Sequence, residues 1–255
     1  MAEWFANFYA NAPEWVQSFC DDFKLNFIDG AKWKWLIDGL KMTLIITFFS
    51  VLLGIAIGVV LAIIRTTHDK NLETMKKRGG FVYVIMKLLN FIANLYLTVI
   101  RGTPVVVQLL IMYFIIFASS RNSTLIAVIA FGINSGAYVA EIFRGGIMSV
   151  DNGQFEAGRS LGFNYLQTMR YIIIPQMFKA VLPTLCNEFI ALLKETSIAG
   201  YVGVMDLTKA GNVVAGRTFE YFIPLFTVAA IYLVMVMLLT SLVGKLERRL
   251  RKSER

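Results

Sequence analysis

From Met42 to Ile64 the chain runs 23 residues without a charge. A run of that length and polarity suits a bilayer. A helix needs about 20 apolar residues to cross the hydrocarbon core, and it satisfies its own backbone hydrogen bonds on the way. Leu125–Phe143 and Phe222–Val243 are further candidates, as is Pro183–Ile198 extended upstream by Ile172–Val181. Phe81–Ala118 has two readings: two spans broken at Arg101-Gly102-Thr103-Pro104, or one long bent helix. Pro104 removes a backbone donor and disfavours helical geometry at Thr103, so a kink is expected. Val105–Ala118 is short for a span of its own, and Asn90 and Asn94 suit lipid poorly. The simpler reading is one span there and five in all. The expected fold class is an all-α integral membrane protein.

Charge then orients the spans. With five spans, segments 65–80, 144–179 and 245–255 carry 15 Lys and Arg, against seven on 1–41, 119–123 and 200–221. Cytoplasmic flanks are enriched in these residues. Six spans give nearly the same bias, so the rule does not fix span number. Either way the 144–179 loop and the Arg-rich C-terminal tail are expected in the cytoplasm. The net charge of +8 gathers in Lys76-Lys77-Arg78 and in Arg248, Arg249, Arg251 and Lys252, beside span ends where anionic membrane lipid lies. No aromatic residues interleave those clusters, which argues against nucleic acid as a partner.

Residues 1–35 are expected to be an N-terminal amphipathic extension. Trp4, Phe5, Phe8, Tyr9, Trp15 and Phe19 suit the membrane interface, where aromatic rings are favoured; a poorly ordered extension is the alternative. The first residues lack the basic start and apolar core of a signal peptide. Cys20 and Cys186 lie far apart in the chain and predict no disulfide framework. His68, in a charged loop, is expected to be solvated, and no metal site is expected.

A polar, glycine-punctuated stretch interrupts the apolar pattern: Glu156-Ala157-Gly158-Arg159-Ser160-Leu161-Gly162, then Ile172-Ile173-Ile174-Pro175. It reads as a helix, a glycine stop and a second helix. Asp151 or Asn152 suits the first N-cap, with Gln154 three residues after Asp151 as in a capping box. Ala157 and Leu161 share a face available for packing, with Glu156 and Arg159 exposed. Gly162 suits a left-handed C-terminal turn, and Asn164 caps a second helix from Tyr165 to the residue before Pro175. An ordinary interfacial hairpin would have the same layout.

The spacing is more telling. Glu-Ala-Gly, three residues, Gly, nine residues, Ile, one residue, Ile-Pro resembles the EAA loop of ABC importer permeases, with Gly158 where Ala is usual and Ile174 where Leu is usual. Arg101-Gly102-Thr103-Pro104, Asn134-Ser135-Gly136-Ala137-Tyr138, the run Ala140-Glu141-Ile142-Phe143-Arg144-Gly145-Gly146-Ile147, and Leu193-Lys194-Glu195-Thr196-Ser197-Ile198-Ala199 look like its polar amino acid branch. That branch is histidine/glutamine/arginine permease-like, and the match covers roughly residues 36–245. The resemblance implies a type I ABC importer transmembrane domain over 36–245, with five core spanning helices and a basic cytoplasmic tail over 246–255. It implies coupling to a separate ATPase through the 151–165 loop, with Glu156, Ala157, Gly158 and Gly162 on the family's coupling positions. It also implies a second permease subunit, an ABC ATPase dimer that binds ATP and Mg, and an extracytoplasmic substrate-binding protein. The chain itself has no GxxxxGK[ST] loop for nucleotide phosphates, so no cofactor and no enzymatic role are expected of it.

Polar side chains inside spans are costly and therefore candidates for the substrate path. Glu188 and Glu195 share one helix face with Ala191 between them; Asn187 and Lys194 lie beside it. Ser135 and Asn134 stand on a facing helix, where Gly132 and Gly136 also form a small-xxx-small packing surface. Gln108 stands four residues past Pro104, suited to a pocket or to a bond with the freed Ile100 carbonyl. An internal structural network would use these same residues. Glu141 and Arg144, three apart, are expected to pair, and Arg101 to snorkel near inner headgroups. The alternative function is a proton-coupled secondary transporter with Glu188, Glu195 and Lys194 as a relay. It lacks a second inverted half. A membrane-embedded enzyme is the third, and it lacks a nucleophile–base pair.

Overall fold

The computed structural model describes residues 9–78 and 80–252. Trp4, Phe5 and Phe8 of the expected amphipathic segment, and residues 253–255 of the basic tail, lie outside the described residues. Among the described residues there are helices and no strand. Four helical stretches are long and apolar enough to cross a membrane: Trp33–Lys70, Phe81–Gly102, Ser123–Met148 and Phe222–Leu250.

The N-terminal helix α1 (Glu14–Phe23) precedes α2 (Trp33–Arg78), whose 46 residues extend about 70 Å at about 1.5 Å per residue. Helix α5 (Ser123–Met148) packs parallel to α2 through four glycines, the contacts advancing together from Ser50–Val128 to Arg65–Glu141. A Cβ at Gly58 would stand 2.5 Å from Val139 Cγ1 and 2.8 Å from the Ala140 nitrogen. Added at Gly132 it would be 2.6 Å from Leu53 Cδ2, and at Gly136 2.9 Å from Ile57 Cγ2. The backbones approach so closely because nothing stands between them, which is how van der Waals packing holds helices together in lipid. Gly132 and Gly136 therefore serve packing. Their counterparts Gly54 and Gly58, also four apart, answer them from α2.

The expected bent helix over Phe81–Ala118 is instead two helices, α3 (Phe81–Gly102) and α4 (Val105–Ile111), the latter continued by a π turn Met112–Ile116. Thr103 (φ −120°, ψ 144°) and Pro104 (φ −62°, ψ 135°) are both extended, so the joint is a two-residue break and not a kink. Gln108 Nε2 takes up the freed carbonyls of Ile100 (2.7 Å) and Thr103 (3.1 Å). Leu109 then packs among Ile46, Ala127 and Phe131, so α4 carries on toward the start of α5. The two pieces together act as one crossing.

The fifth crossing is α8 (Ile174–Glu195), which runs back along α5 from Val181, against Gly146, to Leu192 in the cluster around Phe131. It is less apolar than the other crossings, carrying Lys179, Glu188, Lys194 and Glu195. The final helix α10 (Phe222–Lys252) packs on α8, and Leu182, Leu185, Leu242 and Leu246 line an apolar groove between them.

Two ends result. At one, which we call the cap end, α9 (Leu207–Thr218) and the N-terminal segment fold over the bundle. Fully buried Asn26 donates to Glu220 Oε2 (2.9 Å) and accepts from Thr218 Oγ1 (2.6 Å), while Phe27 packs with Leu36, Leu207 and Ile223. Residues 14–31 are thus tied down, with Trp15, Phe19 and Phe23 exposed along one face of α1. Asp206 caps α9, and Thr43 Oγ1 accepts from the Leu207 N–H (3.1 Å). Burial pushes the Asp206 carboxyl up, and the Thr208 and Lys209 N–H groups oppose that. The opposite end, the loop end, carries residues 149–173.

Candidate functional site

The loop end is a helix hairpin built by local rules. Helix α6 (Asn152–Ser160) starts at Asp151, whose carboxylate accepts from the Gly153 N–H (2.6 Å). The expected capping box does not close: Gln154 Oε1 accepts instead from Gln176 Nε2 (3.2 Å), a partner 22 residues on. Gly162 has φ +81°, the Phe163 N–H reaches the Gly158 carbonyl (3.0 Å), and the Gly162 N–H reaches Arg159 (2.9 Å). That is a complete Schellman turn. Asn164 and Gln167 form a full capping box for α7 (Tyr165–Thr168). The second helix does not stop before Pro175, as the spacing suggested. A π turn, Met169–Ile173, absorbs the proline's missing donor and feeds directly into α8.

The hairpin sorts the coupling candidates by position. Glu156, Ala157, Arg159 and Leu161 are exposed. Ala157 and Leu161 share a face but meet no apolar cluster of this chain, so that face is open. Gly158 points inward, where a Cβ would stand 2.7 Å from Thr168 Cγ2 and Oγ1. It sets the distance between α6 and α7, and Gly162 sets the turn. Phe155 joins Ile173, Met177 and Val181 below.

In the membrane interior, Ser135 Oγ donates to Glu188 Oε1 at 2.8 Å, joining α5 to α8. Next to Ser135, Asn134 Nδ2 donates to Gln108 Oε1 at 3.0 Å, joining α5 to α4. Gln108 is therefore committed at both ends of its amide, to the α3–α4 break and to Asn134. Glu195 is half-buried two turns farther toward the cap end, with Lys194 exposed beside it. Asn187 is not brought to this cluster. It lines a groove at the loop end with Asp151, Gln176, Lys179 and Glu247.

Elsewhere the expected Glu141–Arg144 pair (3.2 Å) exists but is the lesser half of a larger cluster. Arg65 Nη1 reaches Glu141 at 2.7 Å, and Asp69 lies 3.9 Å from Arg144. His68, expected to be solvated, has a side chain only 16% exposed and lies 3.3 Å from Asp69. Arg101 stands over the Tyr138 ring at 5.8 Å, three residues from Glu141 along α5. Arg65, Lys70, Asn26 and Glu220 gave no sign in the sequence beyond being polar. Their partners are 76 to 194 residues distant.

The sequence matches the model of the binding-protein-dependent transport system inner membrane component over residues 79–252. The chain belongs to this family. This inner membrane component is 36% identical over 218 residues to a putative glutamine transport system permease protein of Rickettsia typhi, covering 84% of this chain and 92% of that one. It is 34% identical over 222 residues to an arginine transport system permease protein of Bacillus subtilis (strain 168), covering 86% and 94%. A solved amino acid ABC transporter "with histidines" superposes with a TM-score of 0.75 at 40% identity, covering 88% of this chain and 98% of that one. As a permease component the chain is a non-catalytic, multi-pass inner membrane subunit of a type I ABC importer fold. Its ATPase is a separate partner, and the family implies a substrate-binding protein as a further one.

Proposed function

We propose that this permease forms the translocation path of an ATP-driven importer for a polar amino acid, working by alternating access. The observation that carries the reading is the α6–α7 hairpin. It is rigid by construction, presents Glu156, Ala157 and Leu161 outward, and continues without a loop into α8, which bears Glu188. A surface so built delivers a push to the path. The ATPase partner, which binds ATP and Mg, takes the hairpin, so the loop end and the C-terminus face the cytoplasm. The Lys and Arg excess at that end supports this orientation. The cap end then receives the binding protein. A second permease copy, identical or related, completes the path, and the basic span ends lie against anionic lipid.

Glutamine and arginine relatives, and a neighbour described as an amino acid transporter, support the polar amino acid class. In this reading Glu188 and Ser135 line the path, Glu195 lies farther along it, Asn187 stands at its cytoplasmic mouth, and Gln108 holds the α3–α4 break that shapes its wall. The experiment is to purify the tagged chain from native membrane in mild detergent and reconstitute what accompanies it. An ATPase chain in equal amount and uptake of labelled glutamine, arginine or histidine that needs ATP and survives a proton ionophore is expected. Uptake abolished by the ionophore and indifferent to ATP overturns the reading.

Glu188→Gln tests the path directly. Loss of a charged partner from a shielded site costs about 1.5–3 kcal/mol, so the KM for uptake is expected to shift about tenfold or more. Co-purification of the ATPase is expected to persist. An unchanged KM with loss of assembly assigns Glu188 to the helix network instead.

A further inference from the structure

Helix α2 does not end where its apolar run ends. It continues past Ile64 to Arg78, and among the described side chains of this extension Lys70 meets the hairpin. Lys70 Nζ donates to Asn152 Oδ1 at 2.8 Å and stands 4.3 Å from the centroid of the Phe155 ring. Asn152 and Phe155 are the first and fourth residues of α6, so a single ammonium grips the start of the hairpin from both its polar and its aromatic side. Beside Lys70 and on its membrane side, Arg65 and Asp69 of α2 clamp to Glu141 and Arg144 of α5. Lys70 is the outermost member of this cationic edge and the member that leaves the α2–α5 pair for the hairpin.

On its other side the hairpin is held to α8, by the Gln176–Gln154 bond and by Phe155 packing against the cluster of Met177 and Val181. It is thus attached to both walls of the Ser135–Glu188 contact. Ser135 belongs to α5, which is packed on α2, and Glu188 belongs to α8. A push on the hairpin reaches α8 and, through residues 149–151 and the packing of Phe155 in the cluster of Ile147 and Val150, the inner end of α5. Lys70 carries the displacement to α2 as well, the helix on which the α5 wall is close-packed.

We infer that Lys70 is a positioning residue, the strut that couples the docking hairpin to the α2–α5 wall of the path. The inference rests on the hairpin being the element the ATPase takes. The ammonium serves as a hydrogen-bond donor and as the cation over Phe155, and arginine supplies both; methionine keeps the stem and loses both.

The test is made on the complete transporter in proteoliposomes, scoring labelled amino acid taken up per ATP hydrolysed. Wild type is read first: failure to couple uptake to ATP there overturns the proposed function itself, independently of Lys70. Given coupling, Lys70→Met is expected to keep ATP hydrolysis and lose at least about fivefold in uptake per ATP, the lower end of site-to-site coupling. Lys70→Arg is expected to hold near the wild-type ratio. Asn152→Leu, at an exposed position, is expected to fall as Lys70→Met does, and Asn152→Asp to be retained. An unchanged ratio in Lys70→Met, or an arginine variant no better than the methionine one, overturns the inference. Should Lys70→Met not accumulate, Asn152→Leu decides alone, and an unchanged ratio there overturns it.

Discussion

Gly58→Ile is expected to abolish recovery of folded transporter. The added Cβ would fall 2.7 Å from Val139 Cβ and 2.8 Å from the Ala140 backbone nitrogen. Backbone on the far side of a helix crossing has no rotamer by which to escape. Overpacking in a yielding core costs about 1–3 kcal/mol, and here the crossing itself has to open, taking the neighbouring Gly54, Gly132 and Gly136 contacts with it. Alanine sharpens the test. Ala exceeds Gly in helix propensity by about 1 kcal/mol, so Gly145→Ala, where a Cβ meets nothing within 4 Å, is expected to leave thermal stability in detergent unchanged or raised. Gly58→Ala is expected to lower it. The same substitution with opposite signs at two sites on the α2–α5 pair is read by fluorescence-detected gel filtration after heating. Equal effects at the two sites would remove the close-packing account.

Gly162→Val is expected to separate ATP hydrolysis from uptake. At φ +81° a β-branched residue is disfavoured by about 2 kcal/mol, which weights against the native turn by a factor of about 30. The turn satisfies the Gly158 and Arg159 carbonyls and sets the angle at which α6 is presented. Hydrolysis by the partner is expected to continue, while uptake in proteoliposomes falls at least about tenfold. Gly162→Asn, which tolerates the left-handed region, is expected to retain most of the uptake. Full uptake in the valine variant would show that the turn does not govern presentation of the hairpin. Loss in the asparagine variant as severe as in valine would mean that more than backbone conformation is required at this position.

The hairpin was legible because its rules are local. Gly162 needs only its own φ, and Asn164 needs only Gln167, three residues away. The Asp151–Gln154 box had the same local signature and failed, because Gln176 from the next helix offered Gln154 a competing bond. The joint at Thr103-Pro104 was legible as a disturbance. Whether it bends or breaks depended on Gln108 being free to take the two orphaned carbonyls, a choice between the two roles left open for that residue.

By itself the sequence determined the crossing segments, the punctuation of the hairpin and the family resemblance. The segments follow from hydrophobic length, the punctuation from short-range backbone chemistry, and the resemblance from the residues and spacing of its motifs. The tertiary structure decided which polar groups meet: Ser135 with Glu188, Arg65 with Glu141, Lys70 with Asn152, Asn26 with Glu220, and Asn187 with none of the path cluster. The physical reason lies in the solvent. In lipid a helix such as α2 is apolar around most of its circumference, so hydrophobic periodicity does not fix which face turns inward. Rotation and depth are set by where backbones pack closest, and here that is the crossing of Gly54 and Gly58 with Gly132 and Gly136.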